Sequence, residues 1–243
     1  MILCIATSNA CNWHCSNCCL DKLRKEKGVC DWPAAELHHD FLTRAILKQL
    51  IDEYGIDEIV FCGKGETTLQ PNFRNSLEWA NEFVEKVTII TNGVVQNYSV
   101  FDFAKSSNKF MLRLSHDKNN ALYVIKAYMQ LVMRVKAAPL ITYVLSNNPG
   151  NIEFLEKFYK FFHDTNRNIF VIRDFFDDPT EDTISRISEG RQFYAIEEKN
   201  MYNEAACNSR YDIGTLTLVN QPALALYENL ESETRLVKQL TSI

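Results

Sequence analysis

The chain is short of positive charge: 26 lysines and arginines stand against 31 aspartates and glutamates in 243 residues, a formal net charge of −5. A dedicated nucleic-acid binder shows a basic patch or stripe able to displace counterions from phosphates, so this balance argues against that role. No apolar run approaches the roughly 18 to 20 residues of a membrane helix. No lysine or arginine precedes Lys22 to make the positive start of a signal peptide. The sequence therefore reads as cytosolic. Eight glycines and six prolines are too few for a collagen-like or low-complexity chain. Present in quantity are apolar residues (46%) and aromatic residues (12%), enough for one large core in one or two domains.

Eight cysteines are unevenly spread. Cys11, Cys15, Cys18 and Cys19 crowd into nine residues, whereas Cys4, Cys30, Cys62 and Cys207 are scattered. In a cytosolic chain of this length such crowding points to metal rather than to disulfides.

Periodicity shows short apolar runs alternating with longer amphipathic ones. The strands are expected at residues 2–7, 58–63, 87–91, 110–115, 140–145 and 169–173. Between them, helical spacing covers Phe41 to Tyr54 with Gly55 as its stop, Phe73 to Val84, more weakly Gln96 to Lys105, Asn119 to Val135, and Ile152 to His163. Six βα-like units of this length favour a parallel sheet with right-handed crossovers. After Asp174 the rhythm breaks. A hairpin of residues 215–219 and 223–227 and a final helix from Glu231 to Leu240 are expected there. The division is a core of residues 1–175 and a C-terminal appendage of residues 176–243.

Directly after the first strand, Cys11, Cys15 and Cys18 form a Cys-x₃-Cys-x₂-Cys pattern. Three thiolates at those separations can each hold one iron of a cubane cluster and leave a fourth iron without a protein ligand. A closed four-cysteine site using Cys19, or a structural zinc knot, is the alternative. Adjacent Cys18 and Cys19 are poorly placed to bind one metal, and no second Cys pair follows at zinc-ribbon spacing. Trp13 is expected to shield the loop by packing. About 45 residues downstream, strand two ends in Gly63-Lys64-Gly65-Glu66.

This pair of motifs resembles the radical S-adenosylmethionine (SAM) superfamily. The resemblance covers residues 1 to about 175 and implies a partial (β/α)6 TIM-like barrel. It also implies a 4Fe-4S cluster on Cys11, Cys15 and Cys18 whose open iron chelates the amine and carboxylate of SAM. Reduction then gives methionine and a 5′-deoxyadenosyl radical that takes hydrogen from a substrate. Gly63, Gly65 and Glu66 match the family's Gly-Gly-Glu-Pro motif beside the SAM amine; Lys64 and Thr67 replace a common glycine and proline, and Asn17 stands where an aromatic residue is frequent. Asn92 after strand three, Ser115 after strand four and Asn147 after strand five are implied SAM-binding residues. Asn92-Gly93 also suits an ordinary turn. Arg173, Asp174 and Asp177 lie where a substrate could be held.

The resemblance does not name the substrate, since one fold and cofactor host many reactions. Cys30 and Cys207 are candidates for returning a hydrogen atom to a substrate radical, and ordinary packing is the alternative for both. No cysteine follows Cys207 and no recognition segment precedes strand one, which together point to a compact single-cluster enzyme. The expected substrate is a peptide or protein, with a separate recognition protein and an electron donor such as flavodoxin or ferredoxin as partners. A small metabolite or nucleoside is the second expectation and glycyl-radical activation the third; a non-catalytic iron–sulfur or zinc-binding scaffold is the alternative of a different class.

Overall fold

A computed structural model describes residues 1–6, 11–13, 42–62, 65–70, 72–95, 97–114, 118–137, 139–161, 169–173, 180–188, 196–197, 216–220, 224–229 and 234–240. Its strands are β1 (Ile2–Ala6), β2 (Glu58–Phe61), β3 (Lys86–Thr91), β4 (Lys109–Leu114), β5 (Leu140–Leu145), β6 (Ile169–Arg173), β7 (Ile196–Glu197), β8 (Leu216–Asn220), β9 (Leu224–Asn229) and β10 (Thr234–Gln239). Its helices are α1 (Arg44–Tyr54), α2 (Phe73–Phe83), α3 (Lys118–Val135), α4 (Pro149–Phe161) and α5 (Glu181–Ser188). One ten-stranded sheet runs in the order β10-β9-β8-β1-β2-β3-β4-β5-β6-β7. Every pairing from β8 through β1 to β7 is parallel, and β8-β9-β10 is antiparallel.

Consecutive strand order with crossovers of one hand puts α1 to α4 on one face, the arrangement of a (β/α) barrel rather than of a doubly wound sheet. The core agrees. Leu3, Ile59 and Val87 share one level of the sheet, and Ile5, Phe61, Ile89 and Phe110 share the next. These side chains pack in one cluster with Leu47 and Leu50 of α1, Leu77 and Ala80 of α2, Val124, Ala127 and Leu131 of α3, and Leu155 of α4. A chain of edge-to-face rings, Phe61 to Phe73 to Phe101 to Phe110, at centroid distances of 5.4, 6.1 and 5.4 Å, ties β2, α2 and β4 together. Because strand side chains alternate, Cys4, Val60, Thr88, Met111, Arg113 and Thr142 line the opposite, concave face. β7 and β10 form the sheet's two edges, so among the described residues the barrel is open.

The helix ends follow from single residues. The Thr43 hydroxyl accepts from Ile46 N–H at 3.2 Å, and Gly55, at φ 62°, turns the chain out of α1 while its N–H caps Ile51.

Two expectations need correction. From Gln96 to Lys105 only Tyr98–Phe101 is helical, as a 3₁₀ turn. Tyr98 and Phe101 are both buried, and their spacing of three residues eclipses them on one side of a 3₁₀ turn; Asn97 caps it through Ser99 N–H. The expected helix from Glu231 to Leu240 is instead strand β10, paired antiparallel with β9, with a register shift between Leu236 and Lys238. The free edge of β9 offers this segment a full ladder of backbone partners, which outweighs its weak helical pattern. The segment after Asp174 also contributes α5 and β7, and β8 pairs in parallel with β1, so the C-terminal strands extend the core sheet.

No helix among the described residues is long and apolar enough to cross a membrane.

Candidate functional site

Parallel strands bring their C-terminal ends to one edge of the sheet, and three of those ends carry the sequence motifs. β1 leads to Cys11, β2 to Gly65 and Glu66, and β3 to Asn92. The best-defined group there is the Glu66 carboxylate, which is only 2% exposed. Its Oε1 accepts from the Thr68 N–H at 3.0 Å, the Thr68 hydroxyl at 2.8 Å and the Thr91 hydroxyl at 2.6 Å. Its Oε2 accepts from the Asn92 N–H at 2.7 Å. Burial pushes the Glu66 carboxyl above the ordinary carboxylate range, opposed by these four donors. Both oxygens are thus engaged by protein groups, and Glu66 clamps the β2 loop to the end of β3.

Asn92 carries the connection onward. Its Nδ2 donates to Asn12 Oδ1 at 3.0 Å and to Cys11 Sγ at 3.9 Å, while its Oδ1 accepts from Val94 N–H at 2.8 Å. Asn12 Nδ2 in turn donates to the Val94 carbonyl at 2.6 Å. Cys11 and Asn12 are therefore held to the turn after β3. That turn needs Gly93: φ is +76°, and a Cβ there would lie 3.3 Å from Ala127 Cβ and Val124 Cα of α3. Trp13 packs edge-to-face on Tyr123 of α3 at 5.6 Å.

Cys11 is exposed at this edge, with an amide N–H directed at its sulfur. A donor so placed complements the thiolate, the form in which cysteine binds iron, so this residue fits a cluster ligand. Among the described residues no three His, Cys, Asp or Glu side chains form a metal-binding group. Cys15, Cys18, Gly63, Lys64, Ser115, Cys30, Cys207, Asp174 and Asp177 lie outside the described residues. Asn147 is exposed and accepts from the Thr183 hydroxyl at 3.2 Å, which joins the end of β5 to α5.

Sequence reasoning missed three contributors. Thr91 bridges Glu66 and Gly93, whose N–H reaches the Thr91 hydroxyl at 3.2 Å. Asn12 stands between two more conspicuous residues. Gln70 donates through Nε2 to the Ile5 carbonyl at 3.2 Å and the Cys62 carbonyl at 2.9 Å, locking the ends of β1 and β2 together. Gln70 offered one signal, an amide three residues past the motif at the foot of a helix; Thr91 and Asn12 offered none beyond their polarity.

No protein-family model matches the chain, and no curated protein sequence matches it. Among solved structures it is similar to SuiB of Streptococcus suis bound to S-adenosylmethionine, with a TM-score of 0.60 and 17% identity over 93% of this chain and 59% of SuiB. The crystal structure of SuiB bound to precursor peptide SuiA is similar at a TM-score of 0.56 and 15% identity, over 93% of this chain and 58% of that one. The chain thus spans about three fifths of SuiB's length. At this identity the likeness is one of fold: a singly wound parallel sheet is what this chain shares with SuiB.

Proposed function

We propose that the chain is a radical SAM enzyme that acts on a peptide substrate. The observation that carries this reading is the link from Glu66 through Asn92 to Cys11, which joins two motifs far apart in sequence at the mouth of the barrel. Cys11, Cys15 and Cys18 would hold a 4Fe-4S cluster, which would supply one electron to the SAM sulfonium and so the radical chemistry that takes a hydrogen atom from the substrate. The chain's own contribution is positional. Asn12 and Asn92 hold the first cysteine, Trp13 closes the loop against α3, and Gly65 leaves the backbone after β2 open to the SAM amine. Ser115 and Asn147 complete the SAM site from β4 and β5.

The likeness to SuiB, which has been crystallised both with SAM and with precursor peptide SuiA, supports peptide over metabolite as substrate. A flavodoxin- or ferredoxin-type protein provides the electron, and a separate protein presents the peptide.

The test is anaerobic. The protein is loaded with iron and sulfide, reduced, mixed with SAM, and 5′-deoxyadenosine is quantified by mass spectrometry. Formation by the wild type and its loss in Cys15→Ala is the expected result. A fully loaded cluster that yields none with SAM and candidate peptides, and shows no spectral change on SAM addition, places the chain among non-catalytic metal-binding proteins.

A further inference from the structure

The concave face of the sheet holds a charge that the cysteine loop does not account for. In β4, Phe110, Leu112 and Leu114 point to the helices, so Met111 and Arg113 point the other way. Arg113 is half-buried, and its Nε is shielded from water with no hydrogen-bond partner. Beside it in register on β5 stands Thr142, only 1% exposed, whose hydroxyl has just a 3.5 Å contact with the Leu112 carbonyl. Among the concave-face positions of the described strands β1 to β5, the single carboxylate is Glu58. It sits at the N-terminal end of β2, where it accepts from the Thr88 hydroxyl at 3.3 Å. Counted through the strand register, that is six residues below Arg113, about 20 Å at the usual rise per residue.

A guanidinium with a buried N–H left unpaired is costly in a native fold, and such a group calls for an absent partner. Arg113 presents a planar fork of donors near the C-terminal edge of β4, the edge where ligands of such barrels bind. A carboxylate matches that fork in shape and charge, accepting two parallel N–H bonds. We propose that Arg113 forms a carboxylate-binding subsite on the concave face, with Thr142 as its polar neighbour. Resting on the peptide-substrate reading above, the occupant with the right chemistry is a peptide, through an acidic side chain or its C-terminus. The subsite stands on Arg113 and its surroundings, so it survives or fails independently of the cluster.

The test compares wild type with Arg113→Met, which keeps the stem's bulk without the charge, and with Arg113→Gln should the first variant not fold. Thermal unfolding of the full chain is followed with glutarate, which mimics an acidic side chain, and with the neutral glutaramide. Affinities for SAM and for decarboxylated SAM are measured by equilibrium dialysis on the iron-loaded protein. If the carboxylate comes from the peptide, glutarate but not glutaramide raises the wild-type Tm, the variant loses this response, and its SAM affinity stays unchanged. A variant that binds SAM at least tenfold more weakly, and no better than decarboxylated SAM, overturns the proposal by assigning Arg113 to the cofactor. Identical glutarate responses of wild type and variant also overturn it.

Discussion

At the scale of single residues, Glu66 does the work of a rivet. All its described partners are donors, and one of them is the backbone N–H of Asn92. Glu66→Gln turns one acceptor into a donor and leaves at least one buried N–H or hydroxyl facing it, a loss of about 1–3 kcal/mol readable by urea denaturation. The carboxyl also titrates with folding. Because burial raises it, the folded protein keeps a proton that the unfolded chain has released. Its contribution to stability is complete below the ordinary value of 4.5 and declines as pH rises through the folded value. Wild type therefore loses stability over that window relative to Glu66→Gln, which lacks the slope. Asn92 is the second residue to test. Asn92→Ala removes the N–H that faces Cys11 Sγ. With the proposed cluster bound at Cys11, fewer donors to its thiolate give the iron-loaded variant a more negative midpoint potential than wild type, measured without SAM by optical redox titration.

At the scale of elements, two glycines at positive φ make opposite predictions of size. At Gly55 an added Cβ meets nothing within 4 Å, so Gly55→Ala costs only the strain of the left-handed backbone, about 1 kcal/mol. At Gly93 the same strain is joined by a 3.3 Å approach to the α3 backbone at Val124. Gly93→Ala is expected to cost at least about 1 kcal/mol more, with the excess seen as a larger drop in denaturation midpoint. The regular elements were legible because their signals are local. Lys86–Thr91 is a β-branched run, and Arg44–Tyr54 has an apolar stripe with a hydroxyl cap before it and glycine after it. Glu231–Leu240 was misread because its partner strand, β9, decides its conformation, and nothing within those ten residues records that partner. The site divides the same way. The cysteine spacing and the Gly-x-Gly-Glu stretch can be read along the chain, whereas the bonds from Asn92 to Glu66 and to Asn12 cross 26 and 80 residues.

At the scale of the whole molecule, the C-terminal strands are part of the core. Leu216 and Leu218 of β8 are buried in the same cluster as Leu3 and Ile5 of β1. Removing residues 214–243 would uncover both those side chains and the unpaired backbone of β1. The truncated chain is expected to elute as an aggregate in size-exclusion chromatography, where the full chain does not.

The position of β1 between β2 and β8 has a kinetic consequence. From β2 to β6 each strand pairs with the next in the chain, but Leu3 pairs with Leu216, roughly 200 residues away. The loop-closure cost of that pairing makes it a late event, so the sheet can grow from β2 outward while one flank of β1 still waits. During synthesis the cysteine motif emerges before β2, yet the strand that precedes it is sealed on its second flank only after β8 has been made.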